Sequence, residues 1–420
     1  MRRLIEALQL EGLAPIRTLA ALLLGALCMA GRPAEARKVD SDVSIGYGTQ
    51  VWSETLREPR RLLVYLPPNY EQAREQRYPV LYLLDAEAHF HHATGIVQFL
   101  AENGRIPQLI VVGVTNTQRG RDLAPSTHSR KELEDDPDVG GAGNFLKFLS
   151  SELAPWVEAR FRTSPYRILV GHSFGGLFNV YALTSDPQAF QAHIAISPSL
   201  WWDEGNFARE ARVKLASLPG EHFLYLSWGD REPTIRGPTE ELVAWLEKNP
   251  PARLTWKSRY YAGDDHGTTP HRSLYDGLEA LYDGWLLPDE IDGKEQHYDL
   301  PGLEAHAAQL SRRYGYPIVP SPASVDAVGE ELLDRKDFAA AIPILQRNAA
   351  DHGYLPYVHE SLGKALEGAG RPREALEEYR KALALALDEE NPYSSPLDGY
   401  RKHVKEIEQQ LQPKPQSRKK

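Results

Sequence analysis

Residues 43–285 carry short apolar runs rich in β-branched residues, separated by longer stretches of mixed polarity. Residues 43–66 alternate apolar and polar positions about a turn near Arg57-Glu58-Pro59, the two-residue period of an antiparallel strand pair. Residues 79–85, 109–114, 168–171, 193–197 and 223–227 are nearly continuous in apolar character, which suits strands covered on both faces. Residues 254–260 alternate again and predict a late strand. Helices are predicted between these runs, at 144–160, 173–184 and 239–248. Strands alternating with helices predict an α/β domain over residues 38–287 with a mostly parallel central sheet.

The pattern changes near residue 290. Residues 288–325 are polar, contain proline and show no period, so they read as a linker. Residues 326–412 then repeat: Gly329, Leu332, Ala341 and Leu345 recur as Gly363, Leu366, Ala375 and Tyr379, each 34 positions on. That is the tetratricopeptide period, in which small residues mark the close approach of paired helices. Residues 400–411 fit a capping helix, and 413–420 a disordered tail. Two repeats are fewer than a free-standing solenoid needs. The small all-α unit is therefore expected to pack on the α/β domain or on a protein partner.

Composition adds a compartment and removes one class of partner. At 420 residues the chain is too long for a single core. A net charge of −10, with no cluster of basic and aromatic residues, argues against nucleic acid as a partner. Arg2, Arg3 and Arg17 precede an apolar run over 19–30 and a small-residue site, Ala34-Glu35-Ala36. This is the layout of a signal peptide over residues 1–36, cleaved after Ala36. The run is short for a membrane span, so no stable membrane insertion is expected after cleavage. The only cysteine, Cys28, lies in the same segment. A mature chain without cysteine fits a bacterial periplasmic or secreted protein that relies on its core rather than on disulfides.

The most specific chemistry lies at residues 168–176, Ile-Leu-Val-Gly-His-Ser-Phe-Gly-Gly. An apolar run that feeds Gly171-His172-Ser173-Phe174-Gly175 and then a helix is a nucleophile elbow. Its tight turn holds the Ser173 hydroxyl out at the C-terminal end of the strand, and with the parallel sheet it predicts an α/β-hydrolase fold. A serine hydroxyl needs an adjacent base, and that base needs an orienting acid. In this fold they follow in the order Ser, acid, His. His266, in Gly263-Asp264-Asp265-His266-Gly267, comes just after the last predicted strand and is the favoured base, with His271 second. His172 is fixed beside the nucleophile, while His193 and His222 begin strands and read as structural. The acid should follow the strand ending near Trp228, where Asp230 and Glu232 are equal candidates. The oxyanion donors are expected to be the backbone N–H of Phe174 and, in the loop after residues 80–84, that of Glu87. His89, His91 and His92 invite a metal reading, but no carboxylate or thiolate set completes a site. A pocket-lining or surface role is expected for them, and neither metal nor cofactor is required.

Leu66-Pro67-Pro68-Asn69-Tyr70, Tyr78-Pro79-Val80-Leu81-Tyr82-Leu83-Leu84-Asp85 and Gly171-His172-Ser173-Phe174-Gly175-Gly176 together resemble the putative-esterase family. That family contains esterase D, feruloyl esterases, mycolyltransferases and the enterochelin and siderophore esterases. The resemblance covers residues 43–285. Arg119-Gly120-Arg121-Asp122-Leu123-Ala124-Pro125 is similar to an Arg-Asp-Leu-Thr-Pro loop of the siderophore-esterase branch, as is Ser197-Pro198-Ser199-Leu200-Trp201-Trp202. Gly229-Asp230-Arg231-Glu232-Pro233 resembles the enterochelin-esterase segment carrying Arg-Glu-Pro. In the wider family the acid lies three residues past such a glycine, which tilts the choice toward Glu232. One departure stands out: relatives carry Asp-Gly after the Leu-Leu strand, whereas this chain has Asp85-Ala86, acceptable only if φ stays negative at Ala86.

The resemblance implies a serine esterase that takes a small-molecule ester, and its branch implies one of siderophore type. Arg119 and Arg121 are candidates for holding an anionic or catecholate group, since a guanidinium pairs with oxygen acceptors. A salt bridge to Asp122 is the competing role. Trp201 and Trp202 would either wall a pocket or belong to the core. The alternatives are an acyltransferase with the same triad and an inactive interaction protein that works through its helical repeats.

Overall fold

Each apolar run becomes a strand of one eight-stranded sheet in the computed structural model, which describes residues 44–287, 290–291, 294–387 and 397–412. The signal segment and the tail over 413–420 lie outside the described residues. The chain begins with β1 (Tyr47–Ser53), β2 (Glu58–Tyr65), β3 (Tyr78–Leu83), α1 (Ala86–Glu102) and β4 (Ile110–Val114). Two short helices follow, α2 (Arg119–Leu123) and α3 (Arg130–Asp135). Then α4 (Ala142–Phe148) runs through a π-helical turn, Leu149–Leu153, into α5 (Ala154–Glu158). The second half holds β5 (Thr163–His172), α6 (Phe174–Ser185), β6 (Ala192–Ile196), α7 (Asn206–Leu215), β7 (His222–Arg231), α8 (Pro233–Lys248), β8 (Leu254–Asp265) and α9 (Thr269–Leu281).

The strand order is β1-β2-β4-β3-β5-β6-β7-β8. Pairing is antiparallel between β1 and β2 and between β2 and β4, and parallel from β4 onward. Alternate side chains serve opposite faces. Leu81, Leu83, Ile168 and Val170 join the layer with α1 and α9, while Val80, Tyr82 and Leu169 join the layer with α4 and α6. Because both faces are covered, these strands read as continuous apolar runs. Burying each such side chain contributes about 1.5–3 kcal/mol.

The segment expected as a linker, 288–325, carries a helix, α10 (Leu300–Tyr314). Its stripe of Leu303, Ala307, Leu310 and Tyr314 is buried, and Leu310 and Tyr314 enter the core beneath α9. There the Tyr314 ring meets Tyr166, Tyr282 and Trp285 at 5.3, 5.2 and 5.9 Å between centroids. Five further helices follow among the described residues: α11 (Pro322–Asp334), α12 (Phe338–Asp351), α13 (Pro356–Gly368), α14 (Pro372–Leu387) and α15 (Leu397–Leu411). A Cβ on Gly363 would lie 2.6 Å from the Tyr379 ring, and Gly329 stands in the same relation to Leu345. The repeated glycines thus sit where consecutive helices cross closely. No described helix is long and apolar enough to cross a membrane.

Candidate active site

β5 ends at His172 and α6 begins at Phe174, so Ser173 alone turns the chain, at φ 61° and ψ −114°. A non-glycine residue in such a region costs on the order of 1–3 kcal/mol. Its neighbours allow the turn: a Cβ on Gly171 would strike the Gly175 carbonyl, and one on Gly176 would lie 2.8 Å from the Ile196 carbonyl oxygen. Ser173 N–H donates to the Ile196 carbonyl at 3.0 Å, and Leu177 N–H donates to the Ser173 carbonyl at 2.9 Å. The N–H of Phe174 therefore stands ahead of the helical ladder, with no acceptor inside α6. Buried Asn179 anchors the helix beneath: its Nδ2 donates to the carbonyls of Leu169 and Ile194 at 3.2 and 3.1 Å. Its Oδ1 meets Nδ1 of His193 at 2.9 Å, which gives that histidine its structural role.

β7 and β8 pair beyond Gly229 through a bulge and deliver two residues to the same end of the sheet. Gly229 makes this close approach possible, since a Cβ there would lie 2.6 Å from the Asp264 carbonyl oxygen. Glu232 follows β7, His266 follows β8, and Nδ1 of His266 meets Oε1 of Glu232 at 2.5 Å. The other carboxylate oxygen accepts from the Ser197 hydroxyl at 3.0 Å and from the Gly229 N–H. Burial alone would raise the Glu232 pKa, but the bonds from His266, Gly229 and Ser197 outweigh it and hold the carboxyl below its ordinary value. An ionised carboxylate only accepts, so Nδ1 carries the proton and Nε2 is left as a base. Asp230 is exposed instead, accepting from the Tyr260 hydroxyl at 2.5 Å and pairing with Arg236 at 3.4 Å. Of the two acids left open by the sequence, the geometry brings Glu232 to the imidazole and leaves Asp230 at the surface. The His266 ring packs on that of His172, the residue before Ser173, with centroids 4.3 Å apart.

The loop expected to hold the second oxyanion donor turns at Asp85, whose φ of 52° is left-handed. Ala86 is already the first residue of α1, so alanine in place of the relatives' glycine carries no strain. Ala88 and His89 N–H groups donate to the Asp85 carbonyl at 3.0 and 3.2 Å. The N–H of Glu87 thus precedes the ladder of α1, as that of Phe174 precedes the ladder of α6. The Glu87 side chain accepts from Nδ2 of Asn116 at 2.7 Å.

The two arginines fall into fixed ion pairs. Arg119 holds both oxygens of Asp85, and its Nη2 also donates to the His172 carbonyl at 3.1 Å. Burial raises the Asp85 pKa, but hydrogen bonds from Arg119 and Asn116 bring it below the ordinary value. Arg121 donates to Asp122 and Glu58, each at 2.7 Å, beside the fully buried Arg60. This is the salt-bridge alternative to substrate contact. Trp202 is buried against Ala124 and Leu177 with its Nε1 donating to the Pro125 carbonyl at 3.0 Å, the position of a core side chain. Trp201 is half-buried, 6.1 Å from the Phe174 ring, and borders the elbow.

A feature without a clear sequence signal is a row of imidazoles leading away from the elbow. Successive centroid distances are 4.3 Å from His266 to His172, 5.7 Å from His172 to His89, 5.2 Å from His89 to His92 and 5.4 Å from His92 to His271. His89 and His92 share a hydrogen bond of 3.0 Å, while His91 points to solvent. Burial, then the neighbouring His266 and His89, push the pKa of His172 down to about 3, so its ring is neutral. His271 belongs to the far end of this row and not to the Glu232 carboxylate.

Residues 53–269 match the family model described as "Putative esterase". A siderophore triacetylfusarinine C esterase of Aspergillus fumigatus is 28% identical over 273 residues, spanning 54% of this chain and 90% of that protein. A ferri-bacillibactin esterase of Bacillus subtilis is 32% identical over 172 residues, 37% of this chain and 56% of that protein. Among solved structures, an IroE-like serine hydrolase from Shewanella oneidensis aligns with a TM-score of 0.60 at 28% identity, over 73% of this chain and 98% of that one.

Proposed function

This chain belongs to the putative-esterase family, and we propose that it is an exported serine esterase that cleaves siderophore-type esters through an acyl-enzyme. The observation that carries the mechanism is the 2.5 Å bond between Glu232 and His266 beside an elbow whose serine has φ 61°. In this reading Ser173 Oγ attacks the ester carbonyl and its proton passes to Nε2 of His266. Glu232 keeps the other ring proton in place and stabilises the imidazolium. The tetrahedral oxyanion is met by the N–H groups of Phe174 and Glu87, each at a helix N-terminus where the backbone dipoles favour negative charge. His266 then returns the proton to the leaving alcohol, and a water deprotonated by the same nitrogen releases the acid. The substrate class rests on the siderophore esterases among the relatives. Trp201, beside the elbow, is our candidate pocket wall.

The test uses residues 37–420 with a fluorophosphonate probe and with p-nitrophenyl acetate. Labelling and turnover are expected, and both should disappear in Ser173→Ala. Absence of both in the unaltered chain overturns the esterase reading. A panel of ferric and iron-free siderophores against short-chain esters tests the substrate class: preference for the short-chain esters would remove the siderophore assignment and leave the mechanism standing.

A further inference from the structure

His172, which the proposed mechanism does not use, stands beside the Glu232 and His266 that it does use. Among the described residues, His172, Glu232 and His266 each offer one ligand atom such that all three lie within 4.8 Å of one another. The Glu232 side chain is wholly buried, and Nε2 of His172 is buried with no hydrogen-bond partner. A buried ring nitrogen left unpaired is an open lone pair or an unsatisfied N–H, and either costs free energy until something meets it. We propose that His172, Glu232 and His266 form an inhibitory site for a divalent transition-metal ion, with Zn2+ the best match.

The donor set decides the metal. Two imidazole nitrogens and one harder carboxylate oxygen are a set that borderline Zn2+ accepts, whereas Mg2+ and Ca2+ require oxygen shells. Zinc bonds of about 2.0–2.1 Å place tetrahedral ligand atoms on the order of 3.3 Å apart. Contracting from 4.8 Å and opening the 2.5 Å contact between His266 and Glu232 are both movements of side chains.

The consequence for catalysis follows from proton bookkeeping within one ring. In the metal-free site Nδ1 of His266 donates to Glu232 and Nε2 is the open base. A metal on Nδ1 takes that lone pair, so the ring proton resides on Nε2 and no net proton is released from a neutral imidazole. Nε2–H can no longer accept the proton of Ser173. The ion also occupies the carboxylate that would stabilise the imidazolium. Binding of the metal does not depend on the esterase reading; the loss of activity does.

Two readouts keep these apart. Co2+ added to the mature chain should develop a visible ligand-field absorption that Zn2+ abolishes, and Ser173→Ala should keep it. Zn2+ should lower the rate of p-nitrophenyl acetate hydrolysis, with recovery on addition of a chelator. His172→Phe removes one ligand while keeping a ring of similar size against His266. Relative to its own metal-free rate, its half-inhibitory Zn2+ concentration should rise at least as much as the about 10–100-fold cost of losing a ligand's supporting hydrogen bond. His172→Asn provides a second variant by the Co2+ spectrum if the first folds poorly. No Co2+ band, or unchanged Zn2+ sensitivity in His172→Phe, overturns the site. So does a Zn2+ response lost in His92→Phe and kept in His172→Phe, which would move the ion to the outer histidines. A Co2+ band without any esterase turnover would uphold the site and remove only the proposed function.

Discussion

The Arg119 guanidinium grips the Asp85 carboxylate in two parallel bonds, Nε to Oδ1 at 2.7 Å and Nη2 to Oδ2 at 3.0 Å. The same Nη2 reaches the His172 carbonyl, so one side chain ties the left-handed turn before α1 to the strand that carries Ser173. The two N–H groups assigned to the oxyanion belong to those two segments. Arg119 therefore ties those two segments together.

Arg119→Lys keeps the charge and loses the fork. We expect kcat to fall for a small neutral ester, by no more than the about 10²–10³-fold that loss of an oxyanion donor costs. If Arg119 instead held an anionic or catecholate group of the substrate, p-nitrophenyl acetate turnover would be unaffected and KM would rise only for the anionic or catecholate esters. Steady-state kinetics on both substrate types separates these outcomes.

Glu232→Gln should lower kcat by about 10²–10⁴-fold, because an amide can no longer fix the donor role of Nδ1 or stabilise the imidazolium. Asp230→Asn alters a surface contact with Tyr260 and Arg236 and should leave kcat near its original value. The reverse ranking would transfer the acid to Asp230.

The sequence could name both carboxylates but not choose between them on the residues alone. The choice depends on Ser197 and the Gly229 N–H converging on one carboxylate, and Ser197 reaches it from the end of β6, 35 residues away in the chain. By contrast, every strand of the eight-stranded sheet was legible, the buried parallel ones as apolar runs and β1, β2 and β8 as alternating patterns, while the short strand pair Glu290–Ile291 and Lys294–Glu295 was not. The turn at Ser173 and the position of His266 just after β8 were legible because turn geometry and chain order constrain residue types directly. Arg119 and Trp202 were visible as residues, but their partners Asp85 and Pro125 lie far off in the chain and were not. The helix α10 had local signals, with Asp299 accepting from Gly302 N–H at 2.9 Å at its start and left-handed Gly315 at its end. Its Pro301 and its narrow apolar stripe masked them.

Stability should fall on acidification well before carboxylates titrate. Burial holds His172 and His193 down to about 3, against an ordinary value of 6.5. Above pH 6.5 both states of the chain carry these rings neutral, and they contribute no pH dependence. Below it the unfolded chain takes up protons that the folded chain refuses, so stability drops by up to about 1.4 kcal/mol per pH unit for each histidine. The drop levels off only near pH 3. Urea denaturation at pH 7, 6 and 5 should show this slope, and His193→Asn should reduce it by about one histidine's share. An unchanged slope in that variant would mean that His193 protonates freely in the fold.

Tyr314 should behave as a core residue of the α/β domain although it lies in a segment that reads as a linker. Its ring touches Tyr166 from β5, Tyr282 just after α9 and Trp285, and its hydroxyl donates to the Leu281 carbonyl at 3.1 Å. Truncating a buried aromatic side chain leaves a cavity and costs about 3–5 kcal/mol. Tyr314→Phe keeps the ring and isolates the hydrogen bond, worth about 0.5–1.5 kcal/mol. Val319 is 67% exposed a few residues on, so Val319→Ala should change stability by about 0.5 kcal/mol or less. Chemical denaturation should therefore rank Tyr314→Ala far below Tyr314→Phe, with Val319→Ala close to the unaltered chain. If Tyr314→Ala matched Val319→Ala, α10 would be an appendage. The ranking we expect makes it the layer that closes the sheet beneath α9, so that cutting the chain before Leu300 would bare Tyr166, Tyr282 and Trp285 together.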